Sequence, residues 1–298
     1  MFCRFAPKTF SRVPLGRVIA PQKKMGNCNN YTPPTTEVRT IKSSGDDGFL
    51  IPVKIWRPQT PRAAVFFIHG GIFANGCRES HPGVSAGLAS LNLAVITASF
   101  RNGTDAPFAT GTTERDLADV VRYFRKMNPD VPFGLVGSSS GGYFALSLCR
   151  TLGAKAVDFC VPICPVAHPG RRATYLRSCI AGTAREDGYG DAFHIEEKAR
   201  RILDTQMGFW VEDAASENAG EALRTPSNVP TLLVLGSVDR NVPFRVTSDV
   251  QAWATKTVVV GGAGHEINDA VPAGYRSYLP DIDKFVEHIM KFNSLKPK

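Results

Sequence analysis

The chain has 298 residues, 43% hydrophobic and 21% charged, with a formal net charge of +8. That is the composition of a globular domain long enough to bury a single large core, and no apolar run approaches the ~18 residues a membrane helix needs. Six of the eight net positive charges fall in residues 1–36, which hold no acid, so the body is nearly neutral and the basic balance does not point to nucleic acid.

Residues 1–36 contain five prolines and neither helical nor strand periodicity. They are expected to form a basic tail, disordered or targeting, ahead of one domain over residues 37–298. Acid-free and basic, the tail is compatible with a transit peptide, although Pro7, Pro14 and Pro21 interrupt an amphipathic helix. Met25-Gly26-Asn27-Cys28 offers a weak acylation pattern. The expected location is the cytoplasm, or the mitochondrion if residues 1–36 act as a transit peptide. Seven cysteines, an odd number, suit free thiols, and Cys160 and Cys164 read as small buried hydrophobes.

Glu37–Ser43 and Phe49–Trp56 are β-prone runs about a Gly/Asp turn, expected to form an opening hairpin. Ala63–Ile68 and Leu93–Phe100 are continuous apolar runs, as strands buried on both faces must be. Gly83–Leu91 reads as a helix between them, and Arg101–Thr112 as a long loop. Leu117, Val120, Val121 and Phe124 recur at helical spacing within Glu114–Lys126. Phe133–Val136 is the next strand and Tyr143–Arg150 the next helix, followed by a strand at Ala156–Ile163. Residues 164–228 break the rhythm and are expected to be a lid insertion, helical near Ile195–Gln206 and Ala214–Leu223. Strands at Thr231–Leu235 and Thr257–Val260 and helices at Arg245–Ala254 and Ile282–Phe292 complete the chain. Alternating buried strands and amphipathic helices predict an α/β fold, a mostly parallel sheet with helices on both faces. Its functional site belongs at the carboxyl ends of the strands.

Gly137-Ser138-Ser139-Ser140-Gly141 stands between a strand and a helix. Only Ser139 has glycine two residues to either side, the G-x-S-x-G spacing of a nucleophile elbow, so Ser139 rather than Ser138 or Ser140 is the candidate nucleophile. A serine hydroxyl needs a base to take its proton and a third group to orient that base. Asp239 and His265 each follow a late strand, in the order Ser–Asp–His that the elbow requires. Asp213 and Asp269 are weaker acids for the role, and His81, His168, His194 and His288 do not follow a late core strand. His69-Gly70-Gly71-Ile72 follows the Ala63–Ile68 strand and is expected to supply oxyanion N–H donors from Gly71 and Ile72, with Gly70 as a substitute and Ser140 as a further donor. His69 is expected to orient that loop by hydrogen bonding.

With these motifs the chain resembles the α/β-hydrolase superfamily, and within it the hormone-sensitive-lipase-like (HGGG) group of carboxylesterases and acetyl esterases, over roughly Phe49 to the C-terminus. Ser99-Phe-Arg101, Ala106-Pro-Phe108 and the helix bearing Asp116 are looser echoes, and Cys164-Pro165 resembles the family's approach to its lid. The family's third glycine is Ile72 here, which implies a small acyl group. The resemblance implies a serine esterase acting on a small-molecule ester through an acyl-enzyme, without metal or cofactor and without a nucleic-acid partner. An amidase or formamidase of the kynurenine formamidase kind is the alternative, and a non-catalytic ligand-binding relative a third reading.

Overall fold

Each of the central strands carries apolar side chains on both of its faces, and that property organises the molecule. The computed structural model describes residues 34–45, 47–73, 76–101, 110–185, 196–209, 221–265 and 277–294. An eight-stranded sheet runs through them: β1 (Thr35–Lys42), β2 (Leu50–Arg57), β3 (Ala63–Ile68), β4 (Leu93–Ala98), β5 (Phe133–Ser138), β6 (Phe159–Ile163), β7 (Leu232–Gly236) and β8 (Lys256–Val260). The spatial order is β1-β2-β4-β3-β5-β6-β7-β8. β1 and β2 form an antiparallel hairpin, β2 lies antiparallel to β4, and every later pairing is parallel. Of the tail expected over residues 1–36, residues 1–33 lie outside the described residues, as do Asp213, Asp269 and His194, whereas Thr35 and Thr36 open β1.

Successive side chains of a strand point to opposite faces. In β3, Ala64, Phe66 and Ile68 enter one core and Ala63, Val65 and Phe67 the other. The helices divide accordingly. α2 (Thr110–Met127) and α3 (Ser140–Leu152) cover the first face, and α2 turns Leu117, Val120, Val121 and Phe124 into it. α1 (Pro82–Ser90) and the closing helix (Leu279–Ser294) cover the second, through Val84 and Leu88 and through Ile282, Phe285, Val286 and Ile289.

Pro162 shapes the middle of the sheet. In β6 the N–H of Cys160 donates to Pro230 O at 2.9 Å and that of Cys164 to Val234 O at 2.8 Å. Residue 162 occupies the intervening donor position and has no N–H to give. The β6–β7 ladder is correspondingly reduced to Ile163 opposite Val234 and an isolated bridge from Cys160 to Thr231.

Between β6 and β7 the chain forms α4 (Pro169–Ile180), α5 (Glu196–Phe209) and a 3-10 turn at Glu221–Arg224. α4 and α5 enclose a small apolar cluster of Tyr175, Leu176, Cys179, Ala184, Ala199 and Ile202. The sequence reading did not anticipate α4. Its inward stripe is Arg172, Tyr175, Leu176 and Cys179, and a buried arginine hides the periodicity. The helix expected at Arg245–Ala254 is divided into a 3-10 turn (Phe244–Val246) and α6 (Ser248–Trp253), with Thr247 between them bonding back to Phe244 O. α2 begins at Thr110, inside the expected loop, and the closing helix, α7, begins at Leu279 with Pro280 in its first turn, where no intrahelical N–H is required. Most of the stretch expected to be helical at Ala214–Leu223 lies outside the described residues.

A buried ion pair ties the hairpin to the sheet. Arg101, just beyond β4, grips Asp116 of α2 through Nε at 2.8 Å and Nη2 at 2.6 Å. Ser43 Oγ, at the end of the hairpin's first arm, donates to Asp116 at 2.8 Å. The Asp116 side chain is completely buried. Removing one partner of such a pair strands the other charge. Asp116→Ala is therefore expected to lower the unfolding free energy by about 3–5 kcal/mol, read from urea denaturation against the parent.

Candidate active site

The strand order reverses about β3: the chain leaves β3 for β4 on one side and returns to β5 on the other. In an open parallel sheet the carboxyl ends at such a point diverge and leave a crevice. The loops after β3 and β5 meet there. β5 ends at Ser138 and α3 starts at Ser140, so a single residue makes the turn, and Ser139 takes φ 54, ψ −119. Positive φ strains a residue with a side chain. Here the surroundings impose it. A Cβ on Gly137 would lie 2.2 Å from Gly141 O, and one on Gly141 would lie 2.1 Å from Ile68 O. The Ser139 carbonyl accepts from the N–H groups of Gly142, Tyr143 and Val166, and its own N–H donates to Ile163 O at 2.9 Å.

β7 and β8 bring up the other two residues. Asp239 follows β7 and His265 follows β8, and the two loops are laced together by Val238 N–H to Ala263 O at 3.0 Å and Gly262 N–H to Ser237 Oγ at 2.7 Å. His265 Nε2 lies 2.9 Å from Ser139 Oγ, and His265 Nδ1 lies 2.8 Å from Asp239 Oδ2. A carboxylate only accepts, so Nδ1 carries the proton and Nε2 is left to accept from the serine hydroxyl. Asp239 Oδ1 accepts from the N–H groups of Asn241 at 2.9 Å and Val242 at 2.8 Å. Burial pushes the Asp239 carboxyl up, but the His265 ring and those two N–H groups outweigh it and hold the carboxyl below its usual range. The acid is therefore ionised at neutral pH.

The backbone beside Ser139 is unusual for several residues. After β3, Gly71 has φ 137, Ile72 φ 59 and Phe73 φ 70. Gly70 packs directly on the elbow, where an added Cβ would lie 3.0 Å from the Cβ of Ser139. Among the described residues, the N–H groups of Gly71, Ile72 and Ser140 donate to no protein acceptor. A cavity of about 380 Å³ opens here, lined by Gly70, Gly71, Ile72, Ser139, Asn241 and His265. Ser80 and His81 also face it. Neither these two nor Asn241 was anticipated from sequence, because none belongs to a motif. His81 sits at the left-handed turn before α1, His168 instead caps α4 by accepting from Arg171 N–H, and His288 lies on α7.

His69 holds the loop from beneath. Its ring stacks on Phe100 with centroids 4.4 Å apart, and Nδ1 lies 2.7 Å from Gly70 O, which accepts only and so makes Nδ1 the donor. Burial lowers its pKa to about 4, so the ring stays neutral near pH 7.

Cys164 Sγ approaches Asp239 and His265, and the three donor atoms lie within 4.8 Å of one another. The set does not suit a metal. The Asp239–His265 separation is that of a hydrogen bond, shorter than the ~3.3 Å that two tetrahedral ligands must keep. Burial and the nearby Asp239 charge also push the Cys164 thiol well up, away from the thiolate a metal would need. The five described cysteines, Cys77, Cys149, Cys160, Cys164 and Cys179, are all free. No helix of the described residues is long and apolar enough to cross a membrane.

The model of a family described as "alpha/beta hydrolase fold" matches residues 65–227, more than half of the chain. The chain belongs to the α/β-hydrolase family. A search among curated proteins returns no significant match. Among solved structures, this α/β-hydrolase is similar to the hyperthermophilic esterase of the archaeon Pyrobaculum calidifontis, at 19% identity and TM-score 0.67 over 86% of each chain. It is also similar to carboxyl esterase 2 of the mycorrhizal fungus Tuber melanosporum, at 16% identity and TM-score 0.66, over 88% of this chain and 89% of that one. A third similar structure is brefeldin A esterase, a bacterial homologue of human hormone-sensitive lipase, at 17% identity and TM-score 0.67, over 91% of this chain and 81% of that one.

The depressed pKa of His69 has a consequence for stability. A histidine that titrates near 6.5 when unfolded and about 4 when folded contributes stability that is fully present above pH 6.5 and is lost as pH falls toward 4. The loss is on the order of 3 kcal/mol. His69→Asn, which keeps a donor for Gly70 O, should lack this dependence. Urea titrations of both proteins between pH 7 and pH 4 measure the difference.

Proposed function

We propose that this α/β-hydrolase cleaves carboxylic esters through an acyl-enzyme, with Ser139 as nucleophile, His265 as general base and then acid, and Asp239 as the group that orients the histidine. The observation that carries the reading is the continuous chain from Ser139 Oγ through His265 to Asp239, at 2.9 and 2.8 Å, opening on a cavity lined by unpaired N–H groups. The esterase names borne by similarly folded proteins agree with it.

His265 Nε2 takes the Ser139 proton as Oγ bonds to the substrate's carbonyl carbon. The carbonyl electron pair moves onto oxygen, where the N–H groups of Gly71, Ile72 and Ser140 stabilise it, with Gly70 able to substitute; each such donor is worth roughly 10²–10³ in rate. The pair returns, the alkoxide departs with the proton from His265, and the acyl group stays on Ser139. Water repeats the sequence: His265 takes its proton, its oxygen attacks the acyl carbon, and the carboxylic acid leaves as the proton returns to Ser139. Asp239 stays ionised throughout and faces the imidazolium when it forms. No step requires a metal or cofactor.

Ser139→Ala is expected to lower kcat on a p-nitrophenyl acetate assay by at least about 10,000-fold and to abolish labelling by a fluorophosphonate, without loss of fold. Undiminished turnover would overturn the assignment. The same machinery can open an amide. Ester and N-formyl amide substrates compared on one preparation distinguish the two, and the ester is expected to be preferred.

Ile72 sets the acyl preference. Ile72 lines the cavity and packs against the α4–α5 cluster, and a side chain there leaves less room for an acyl group than glycine would. Short acyl groups should therefore be preferred. Ile72→Gly suits the left-handed φ of 59 and removes the side chain. It should shift the ratio of kcat/KM for octanoate over acetate esters upward by about 10-fold or more.

A further inference from the structure

Arg172 is the largest fully buried side chain of the described residues. Among them, the guanidinium makes no ion pair. Its Nε donates to Asn241 O at 3.3 Å, Nη2 donates to Asn241 Oδ1, and Nη1 donates to Gln206 Oε1 at 3.3 Å. All three acceptors are neutral. A buried cation is costly and is ordinarily paired with an anion. Burial accordingly lowers the Arg172 pKa to about 10, against the opposing influence of the nearby Asp239 charge.

The partners of Arg172 are organised about one loop. Gln206 of α5 steadies α4 by donating to Pro169 O at 2.9 Å. One turn from Arg172, Tyr175 donates its hydroxyl hydrogen to Arg240 O. α4 thus holds residues 240 and 241 at three points. That stretch carries the Asn241 N–H which, with Val242 N–H, grips Asp239 Oδ1. Arg172 reaches neither Ser139 nor His265 by any hydrogen bond, and its complete burial keeps it from substrate. We propose that Arg172 is a positioning residue: through both oxygens of Asn241 it holds the acid loop, and so sets the angle at which Asp239 meets His265.

A planar guanidinium with fixed donors suits this task, because it can engage the backbone and side-chain oxygens of one residue at once. Lysine retains the charge but not the fork. An apolar replacement retains the packing alone.

This proposal rests on the triad reading above, and the experiment separates the two. Active sites of wild type, Arg172→Met and Arg172→Lys are counted with a fluorophosphonate, and kcat and KM for a p-nitrophenyl acetate assay are expressed per labelled site. Arg172→Met should lower per-site kcat about 10- to 100-fold, with KM within about twofold of wild type. Arg172→Lys should fall between them. In an Asp239→Asn background, where the acid can no longer be positioned, Arg172→Met should change the labelling rate by less than about threefold. Per-site kcat within about twofold of an active wild type overturns the proposal, as does an equal loss with and without the Asp239 carboxylate. If Arg172→Met does not fold, Arg172→Lys decides by the same criteria. A wild-type protein that neither turns over ester nor labels at Ser139 instead overturns the esterase reading.

Discussion

The close contact of two glycine backbones at the β5–α3 turn is the constraint on which the site depends. Gly137 and Gly141 approach within distances that admit no side chain, and between them the chain can only turn with Ser139 at positive φ. The strain this imposes, of order 1–3 kcal/mol, is held by four backbone hydrogen bonds through the carbonyl and N–H of Ser139. The hydroxyl is thereby fixed at the head of a helix and at the point where the sheet's strand order reverses. Everything else in the site is brought to that atom.

The sheet does most of the bringing. β3, β5, β7 and β8 are parallel, so the loops carrying Gly70–Ile72, Ser139, Asp239 and His265 emerge on one edge. The apolar strands that produce this arrangement are buried on both faces, and their inflexibility fixes distances among residues more than a hundred positions apart. Two charged or polar supports act beneath the edge: the Arg101–Asp116 pair behind the β4 loop and the neutral His69 ring stacked on Phe100. The segment between β6 and β7 contributes from above, through the Ile72 contact and through the bonds from Arg172 and Tyr175 to the acid loop. This segment therefore meets the candidate site at two separate places, the loop after β3 and the loop after β7.

Some of the architecture was readable without coordinates because it follows from local rules. Runs such as Ala63–Ile68 cannot be solvated and so must be internal strands, and Leu117, Val120, Val121 and Phe124 lie on one helical face by spacing alone. Where a local rule was broken, the reading failed. α4 was missed because an arginine occupies an apolar stripe position. The helix at 245–254 was drawn whole because nothing in its composition marks the interruption at Thr247. The strand expected at Ala156–Ile163 is present as β6 with Pro162 inside it, but the gap Pro162 leaves was not legible, since it falls on a ladder whose partner is about seventy residues away.

Sequence by itself determined the chemistry on offer: a serine at a strand-to-helix turn too tight for flanking side chains, followed in order by an acid and a histidine after later strands. These are short-range facts, written in glycine spacing and in the ends of apolar runs. The tertiary structure alone decided that Ser139 Oγ, His265 and Asp239 fall into one hydrogen-bonded line, that His69 is a neutral support, and that Arg172 on α4 bonds Asn241 across 69 positions of chain. The physical reason is burial. Periodicity indicates which apolar groups leave water, but which polar groups are buried, and what satisfies them, depends on contacts that no local pattern encodes.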